Sequence, residues 1–188
     1  MNKEKEIKVL LSLDEYNKLG ELFNWSKDYY QVNHYYGKES MIDSDMNTYR
    51  VREKNGKIKI QVKIPEKKEG SLHVKKEYEK EIEAVPEKIR KEELTEITGI
   101  RFDEDKEYIG KLTTHRKECL DYEDVEICLD KNDYLNRTDY EIEIEFRGEY
   151  PEEITSLLER NGIKTGNVVD GKNTRYMKEL LRMRTRQE

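Results

Sequence analysis

Three short runs carry the chemistry of this chain, because each alternates apolar side chains with side chains of sorted charge. In 4-EKEIK-8, Glu4, Glu6 and Lys8 fall at every second position, so an extended strand sets them on one face. In 58-IKIQVKI-64, the apolar set Ile58, Ile60, Val62 and Ile64 opposes Lys59, Gln61 and Lys63. In 140-YEIEIEF-146, Tyr140, Ile142, Ile144 and Phe146 oppose Glu141, Glu143 and Glu145. Such sorting suits a polyanion bound together with divalent metal. Guanidinium and ammonium groups hold phosphoryl oxygens, and carboxylates hold Mg²⁺ or Mn²⁺.

The turn at Asn55-Gly56 sharpens the point. Asn-Gly between two alternating runs signals a two-residue hairpin, which fixes the register. Lys54 then stands opposite Lys57, Arg52 opposite Lys59, Arg50 opposite Gln61 and Thr48 opposite Lys63. Arg50, Arg52, Lys59 and Lys63 crowd one face, and like charges directly opposite one another are destabilising. An anion or facing carboxylates must offset them, unless the face is simply solvated. The carboxylates exist: Glu4/Glu6, Glu77/Glu79, Glu126/Asp130 and Glu141/Glu143/Glu145 each occupy the charged face of their own strand. A wet outer surface would mix in Ser, Thr and Gln. Separate acidic and basic strands fit the lining of a lumen.

The elements that must position these groups read as follows. Strands are expected at 3–11, 28–36, 48–54, 57–64, 72–83, near 111–118, 124–130 and 139–146. Ser12 with Glu15 three residues later forms a capping box for a helix whose face carries Leu13, Tyr16, Leu19, Leu22 and Phe23. Pro86 and Gly99 bracket a second helix, Pro151 and Gly162 a third, and 173–186 forms a last amphipathic one. Eight antiparallel strands with few helices suggest a barrel more than an open sheet. The expected class is mainly β (α+β), a single domain over 1–188.

Composition bounds the function. The chain has 188 residues, long enough for a sizeable core. Charged residues reach 41% against 34% hydrophobic, a balance that leans towards disorder; the clear alternation and 13 tyrosines argue for a fold. A net charge of −6 disfavours general nucleic-acid binding. Cys119 and Cys128 give no disulfide framework, so a reducing cytoplasm is expected. MNKEKEIK has no apolar core and no apolar run approaches the ~20 residues of a membrane span, so neither secretion nor membrane insertion is expected.

Eight motifs, in order, resemble the CYTH superfamily of triphosphate tunnel metalloenzymes, most closely its small bacterial single-domain members. They are EKEIK at 4–8, QVNHYY at 31–36, YRVRE at 49–53, IQVK at 60–63, KEYEKE at 76–81, LTTHR at 112–116, EICLD at 126–130 and DYEIEIE at 139–145. The resemblance implies a closed tunnel of eight antiparallel strands with helices packed outside. It implies that Arg50, Arg52, Lys63 and Arg116, joined by Lys59 of the same hairpin face, grip a triphosphate. Lys8 would lie at its reactive end. Glu4, Glu6, Glu141 and Glu143, with Glu77, Glu79 and Asp130, would hold Mg²⁺ or Mn²⁺ or its waters, and Lys8, Glu6 and Glu143 stand nearest the chemistry. Glu145 extends the acidic run beyond the family pattern, and Cys128 takes a lumen-facing slot between Glu126 and Asp130.

The expected activity is metal-dependent hydrolysis of inorganic tripolyphosphate or a nucleoside triphosphate. Such chemistry asks mainly for positioning and charge stabilisation. A class IV-type adenylyl cyclase and a thiamine triphosphatase are the alternatives, and a polyphosphate- or nucleotide-binding module is the non-catalytic one. The expected partner is a small triphosphate compound, with a homodimer open. GNVVDGK at 166–172 nearly spells a P-loop, but Asn173 replaces the metal-binding hydroxyl. Lys172 and Arg175 are instead placed within reach of a tunnel mouth. His34, His73 and His115 lack zinc-ligand spacing, Cys119 and Cys128 read as packing residues, and Trp25 and Tyr35-Tyr36 read as core aromatics.

Overall fold

A computed structural model describes residues 2–38, 47–69 and 72–186, the side chains of residues 2–4, 68 and 69 excepted. The strands are β1 (Asn2–Leu11), β2 (Lys27–Gly37), β3 (Thr48–Lys54), β4 (Lys57–Glu69), β5 (Leu72–Ile82), β6 (Lys88–Ile89), β7 (Lys106–Tyr122), β8 (Val125–Tyr134) and β9 (Arg137–Phe146). Helices α1 (Leu13–Leu22), α2 (Lys91–Thr98), α3 (Glu152–Arg160) and α4 (Lys172–Arg184) complete the order. The strands run β2-β3-β4-β5-β1-β9-β8-β7-β6, and β2 also pairs with β7. That pairing closes eight antiparallel strands into a barrel and leaves two-residue β6 on its flank.

The β3–β4 register matches the hairpin expectation pair for pair, from Thr48 opposite Lys63 to Lys54 opposite Lys57. Asn55 and Gly56 both take positive φ, as the turn requires. Alternation then sends the apolar sets outward. Ile7, Val9, Ile127, Leu129, Ile142 and Ile144 pack beneath Leu19 of α1 and Ile154 and Leu158 of α3. Tyr49, Val51, Ile60 and Val62 pack beneath Ile89 and Leu94.

The capping box of α1 forms as read, with Ser12 and Glu15 satisfying each other's backbone N–H. The second helix starts later than expected, at Lys91 rather than near Pro86. Lys88 and Ile89 are drawn into pairing with Glu107 and Lys106, and Asp105 Oδ1 accepts from the Lys91 N–H at 3.0 Å. A side chain distant in sequence thus sets that helix start. Gly99 closes the helix in the left-handed region, φ 72°. Several strands exceed their expected lengths: β4 continues to Glu69, β7 runs over 17 residues and β8 continues to Tyr134.

The last helix closes one end of the barrel. Tyr35 stands opposite Arg50 and Leu112 opposite Asn33, so both belong to the inner face. They join Tyr134 around Tyr176 of α4. The approach is tight: a Cβ on Gly110, whose φ is 154°, would lie 2.0 Å from the Tyr176 hydroxyl. Gly110→Ala should therefore displace Tyr176. Overpacking of this kind costs about 1–3 kcal/mol, which lowers the melting temperature by several degrees. A calorimetric scan checks this, and an unchanged melting temperature would show that α4 does not seat against β7.

Candidate active site in the tunnel

Inside the barrel lies a cavity of about 430 Å³. β1 contributes Glu6 and Lys8, β3 Arg50 and Arg52, β4 Gln61 and Lys63, and β5 His73, Lys75 and Glu77. β7 adds Arg116 and Glu118, β8 Glu126, β9 Glu143 and Glu145, and α4 with its preceding residues adds Asp170 to Thr174. The end away from α4 opens into a recess of about 540 Å³ that shares Glu77, Glu126 and Glu145 and is bordered by Tyr122 and Phe146.

The acidic wall is made by β1, β8 and β9. Their register sets Glu6 opposite Glu145 and Lys8 opposite Glu143, with Cys128 opposite Glu143 and Asp130 opposite Glu141. Like charges this close stand only if cations are threaded between them. Lys8 does this from the same wall, 2.9 Å from Glu6 and bonded to Glu143. Arg116 forms a two-pronged pair with Asp130, at 2.8 and 2.7 Å, and also bonds Glu143. Lys172 enters from α4 to reach Asp130 at 2.8 Å, Glu143 at 3.0 Å and Glu141. Arg175 spans Asp139 and Glu141, each at 2.9 Å.

These contacts set the proton affinities. Burial pushes the Glu6 carboxyl up, but Lys8, Lys75 and Lys63 outweigh it and hold the group well below the usual range. Burial likewise opposes ionisation of Asp130 and Glu141, and Arg116, Lys172 and Arg175 overcome it. Burial draws the Lys8 ammonium down to about 8 against the pull of Glu6. Arg116 stays charged because Asp130 and its neighbours exceed the cost of burial.

The basic wall is compensated differently. Arg50 donates to Gln61 at 2.8 Å and finds Glu77 only at 3.8 Å. Arg52 donates to Asn33 at 2.9 Å and has no carboxylate partner among the described residues. Burial, then Arg50 and Arg116, bring the Arg52 guanidinium down to about 10. Lys63 approaches Glu77 at 3.6 Å. Two arginines thus face the cavity with their charge largely unspent.

The residues singled out from sequence fall into three places. Glu6, Lys8, Arg50, Arg52, Lys63, Glu77, Arg116, Glu143 and Lys172 line the cavity. Lys59 and Glu79 sit at the rim, 2.5 Å apart and outside the lining. Asp130 and Glu141 are fully buried behind it, held by Lys172, Arg116 and Arg175. The side chain of Glu4 lies outside the described residues.

Two carboxylate groupings could hold a metal by distance: Glu6, Glu143 and Glu145, and Asp130, Glu141 and Glu143. The first borders the cavity in full, and its hard oxygens suit Mg²⁺ or Mn²⁺. A third grouping, Glu118, Glu126 and Cys128, includes a thiol that burial raises well above its ordinary range. Sequence reading gave no role to Gln31, Asn33 or Tyr35, which share the inner face of β2 and are at most 1% exposed. The alternation of QVNHYY puts the three on one face, but the chain alone does not say which face of this mixed strand meets a cavity. Tyr35, read as core, lines the tunnel; Trp25 packs on the outer cluster as expected.

The CYTH domain family matches residues 2–169. Solved structures share the fold. HpAC1 from Hippeastrum, named for adenylyl cyclase and described with a dominant triphosphatase activity, superposes with TM-score 0.73 at 22% identity, over 94% of this chain and 96% of that one. A Bacillus halodurans protein named for adenylate cyclase gives 0.65 at 23% identity, over 94% and 99%. The mimivirus capping enzyme triphosphatase gives 0.55 at 12% identity, over 86% and 87%. Among curated proteins none matches at a significant level. With its closed tunnel and charge-sorted lining, this chain belongs to the CYTH family.

Proposed function

We propose that the protein is a divalent-metal-dependent triphosphatase acting on inorganic tripolyphosphate or a nucleoside triphosphate. One observation carries the reading. Arg50 and Arg52, without close carboxylate partners, face the cavity across from the carboxylates of Glu6, Glu143 and Glu145. A phosphate chain between the walls would take its charge-assisted hydrogen bonds from Arg50, Arg52 and Lys63.

Mg²⁺ or Mn²⁺ held by Glu6, Glu143 and Glu145 would supply charge neutralisation at the phosphoryl oxygens. Lys8, fixed between Glu6 and Glu143, keeps a positive charge beside the reacting group. Asp130 and Glu141 act on Arg116 and Lys172, holding both cations at the cavity wall. The ring of strands excludes bulk water, which strengthens each of these interactions. Adenylyl cyclisation would need a hydroxyl of the nucleotide in place of water, and no feature of the cavity among the described residues favours it. Cys119 and Cys128 are both free and buried, in keeping with a reducing cytoplasm. No helix among the described residues is long and apolar enough to cross a membrane.

Three outcomes are expected. Chelation of divalent ions should abolish phosphate release from tripolyphosphate, and Mg²⁺ or Mn²⁺ should restore it; full activity in excess chelator would remove the metal assignment. Glu143→Gln should lower turnover at least roughly tenfold while tripolyphosphate still binds, since the substitution leaves the local cations in place. Titration calorimetry beside a phosphate assay separates the two effects.

The third outcome distinguishes the arginines. Arg52→Met removes a cation with no carboxylate to strand, so the empty protein should melt at the same temperature or higher while tripolyphosphate affinity falls. Arg116→Met takes the two-pronged partner from Asp130 and one of the three cations from Glu143, leaving both buried carboxylates under-compensated. Breaking a buried pair costs about 3–5 kcal/mol, roughly ten degrees in melting temperature for a chain of this size. Equal melting temperatures for the two variants would refute the division between ligand-binding and wall-supporting cations.

A further inference from the structure

Among the described residues, three arginines line the tunnel cavity, and each is bonded to the residue directly opposite it on the neighbouring strand. Arg116 of β7 stands opposite Asp130 of β8 and makes two bonds to its carboxylate, at 2.8 and 2.7 Å. Arg50 of β3 stands opposite Gln61 of β4 and donates one bond at 2.8 Å. Arg52 of β3 stands opposite Asn33 of β2 and donates one bond at 2.9 Å. The same cross-strand arrangement thus occurs with a carboxylate at Arg116 and with an amide at Arg50 and Arg52.

Asn33 is the informative case. Gln61 uses its amide N–H on Glu79, at 3.2 Å. Asn33 is fully buried, and its Nδ2 finds no acceptor among the described residues. A buried donor without an acceptor costs stability. Aspartate has nearly the same shape. At this position it would remove the orphaned donor and offer Arg52 a second oxygen, as Asp130 does for Arg116. It would also compensate a guanidinium that burial, then Arg50 and Arg116, draw down to about 10. Stability alone therefore favours aspartate here, and the chain holds asparagine.

What the amide preserves is the charge. Its oxygen fixes the Arg52 guanidinium in direction and leaves the positive charge facing the cavity. Gln31, the next residue on the same face of β2, is also buried, with neither amide atom partnered. The inward positions 29, 31, 33 and 35 of β2 include no carboxylate, so this strand adds no negative charge beside Arg52. Resting on the triphosphatase reading above, we propose that Asn33 is a positioning residue whose neutrality keeps the charge of Arg52 available to a bound phosphate chain, at the expense of stability in the empty protein.

The test replaces Asn33 by aspartate, alone and together with Arg52→Met. It measures the melting temperature of the empty protein, tripolyphosphate affinity in chelator by titration calorimetry, and steady-state phosphate release with Mg²⁺. Asn33→Asp should raise the melting temperature. It should also raise the dissociation constant and KM for tripolyphosphate roughly tenfold, the size expected for a bond to a charged group. Turnover should stay within about twofold, as for a loss of uniform binding. A merely structural role would instead move stability and affinity down together. In the Arg52→Met background the sign should reverse, and Asn33→Asp should lower the melting temperature because its carboxylate is buried without its cation. A melting temperature in Asn33→Asp at or below that of the unaltered protein, or an unchanged KM, would overturn the role of Asn33 and leave the triphosphatase reading intact. So would a stabilisation by Asn33→Asp that persists without Arg52. Failure of the unaltered protein to bind or hydrolyse tripolyphosphate would overturn both.

Discussion

The pairing of β2 with β7 is the constraint on which the rest depends. An open sheet of these strands would expose one face of nearly pure charge to water, and the charges would act as separate surface groups. Closure turns that face inward. Carboxylates on β1, β8 and β9 then meet cations on β3, β4 and β7 across a space only a few side chains wide. Desolvation raises the cost of every unmatched charge. It also raises the strength of every match.

That cost explains why the acidic wall is so heavily braced. Three cations, Lys8, Arg116 and Lys172, converge on Glu143, and Arg175 adds a further brace at Glu141. Two of the four come from α4, a helix otherwise outside the barrel. Its apolar contacts around Tyr176 and its ion pairs from Lys172 and Arg175 are therefore complementary. The first seals the end of the tunnel, and the second neutralises carboxylates that the barrel strands alone leave in excess.

The basic wall follows the opposite logic. Arg50 and Arg52 hold neutral amides, Gln61 and Asn33, in positions where carboxylates would have cancelled their charge. A neutral acceptor fixes the guanidinium in direction without spending its electrostatic attraction. The tunnel is thereby polarised, with closely compensated anions on one side and more loosely compensated positive charge on the other. A phosphate chain with a divalent ion is the kind of ligand that matches both walls at once.

Much of this was legible in the chain because strand periodicity is local. Every second residue of EKEIK, IKIQVKI and YEIEIEF shares a face whatever the rest does, and Asn55-Gly56 fixes the β3–β4 register through turn geometry alone. The motif order likewise carried the barrel and the family. What the sequence left undecided depends on contacts between distant elements. Only the tertiary structure sets Lys172 among Asp130, Glu141 and Glu143, places Asp130 and Glu141 behind the lining, and leaves Lys59 with Glu79 at the rim. Only it starts α2 at Lys91, because the acceptor for that N–H is Asp105 on a later segment. Alternation determines which residues share a face. How deep each lies, and which opposite charge reaches it first, is decided by closure of the barrel and the docking of α4.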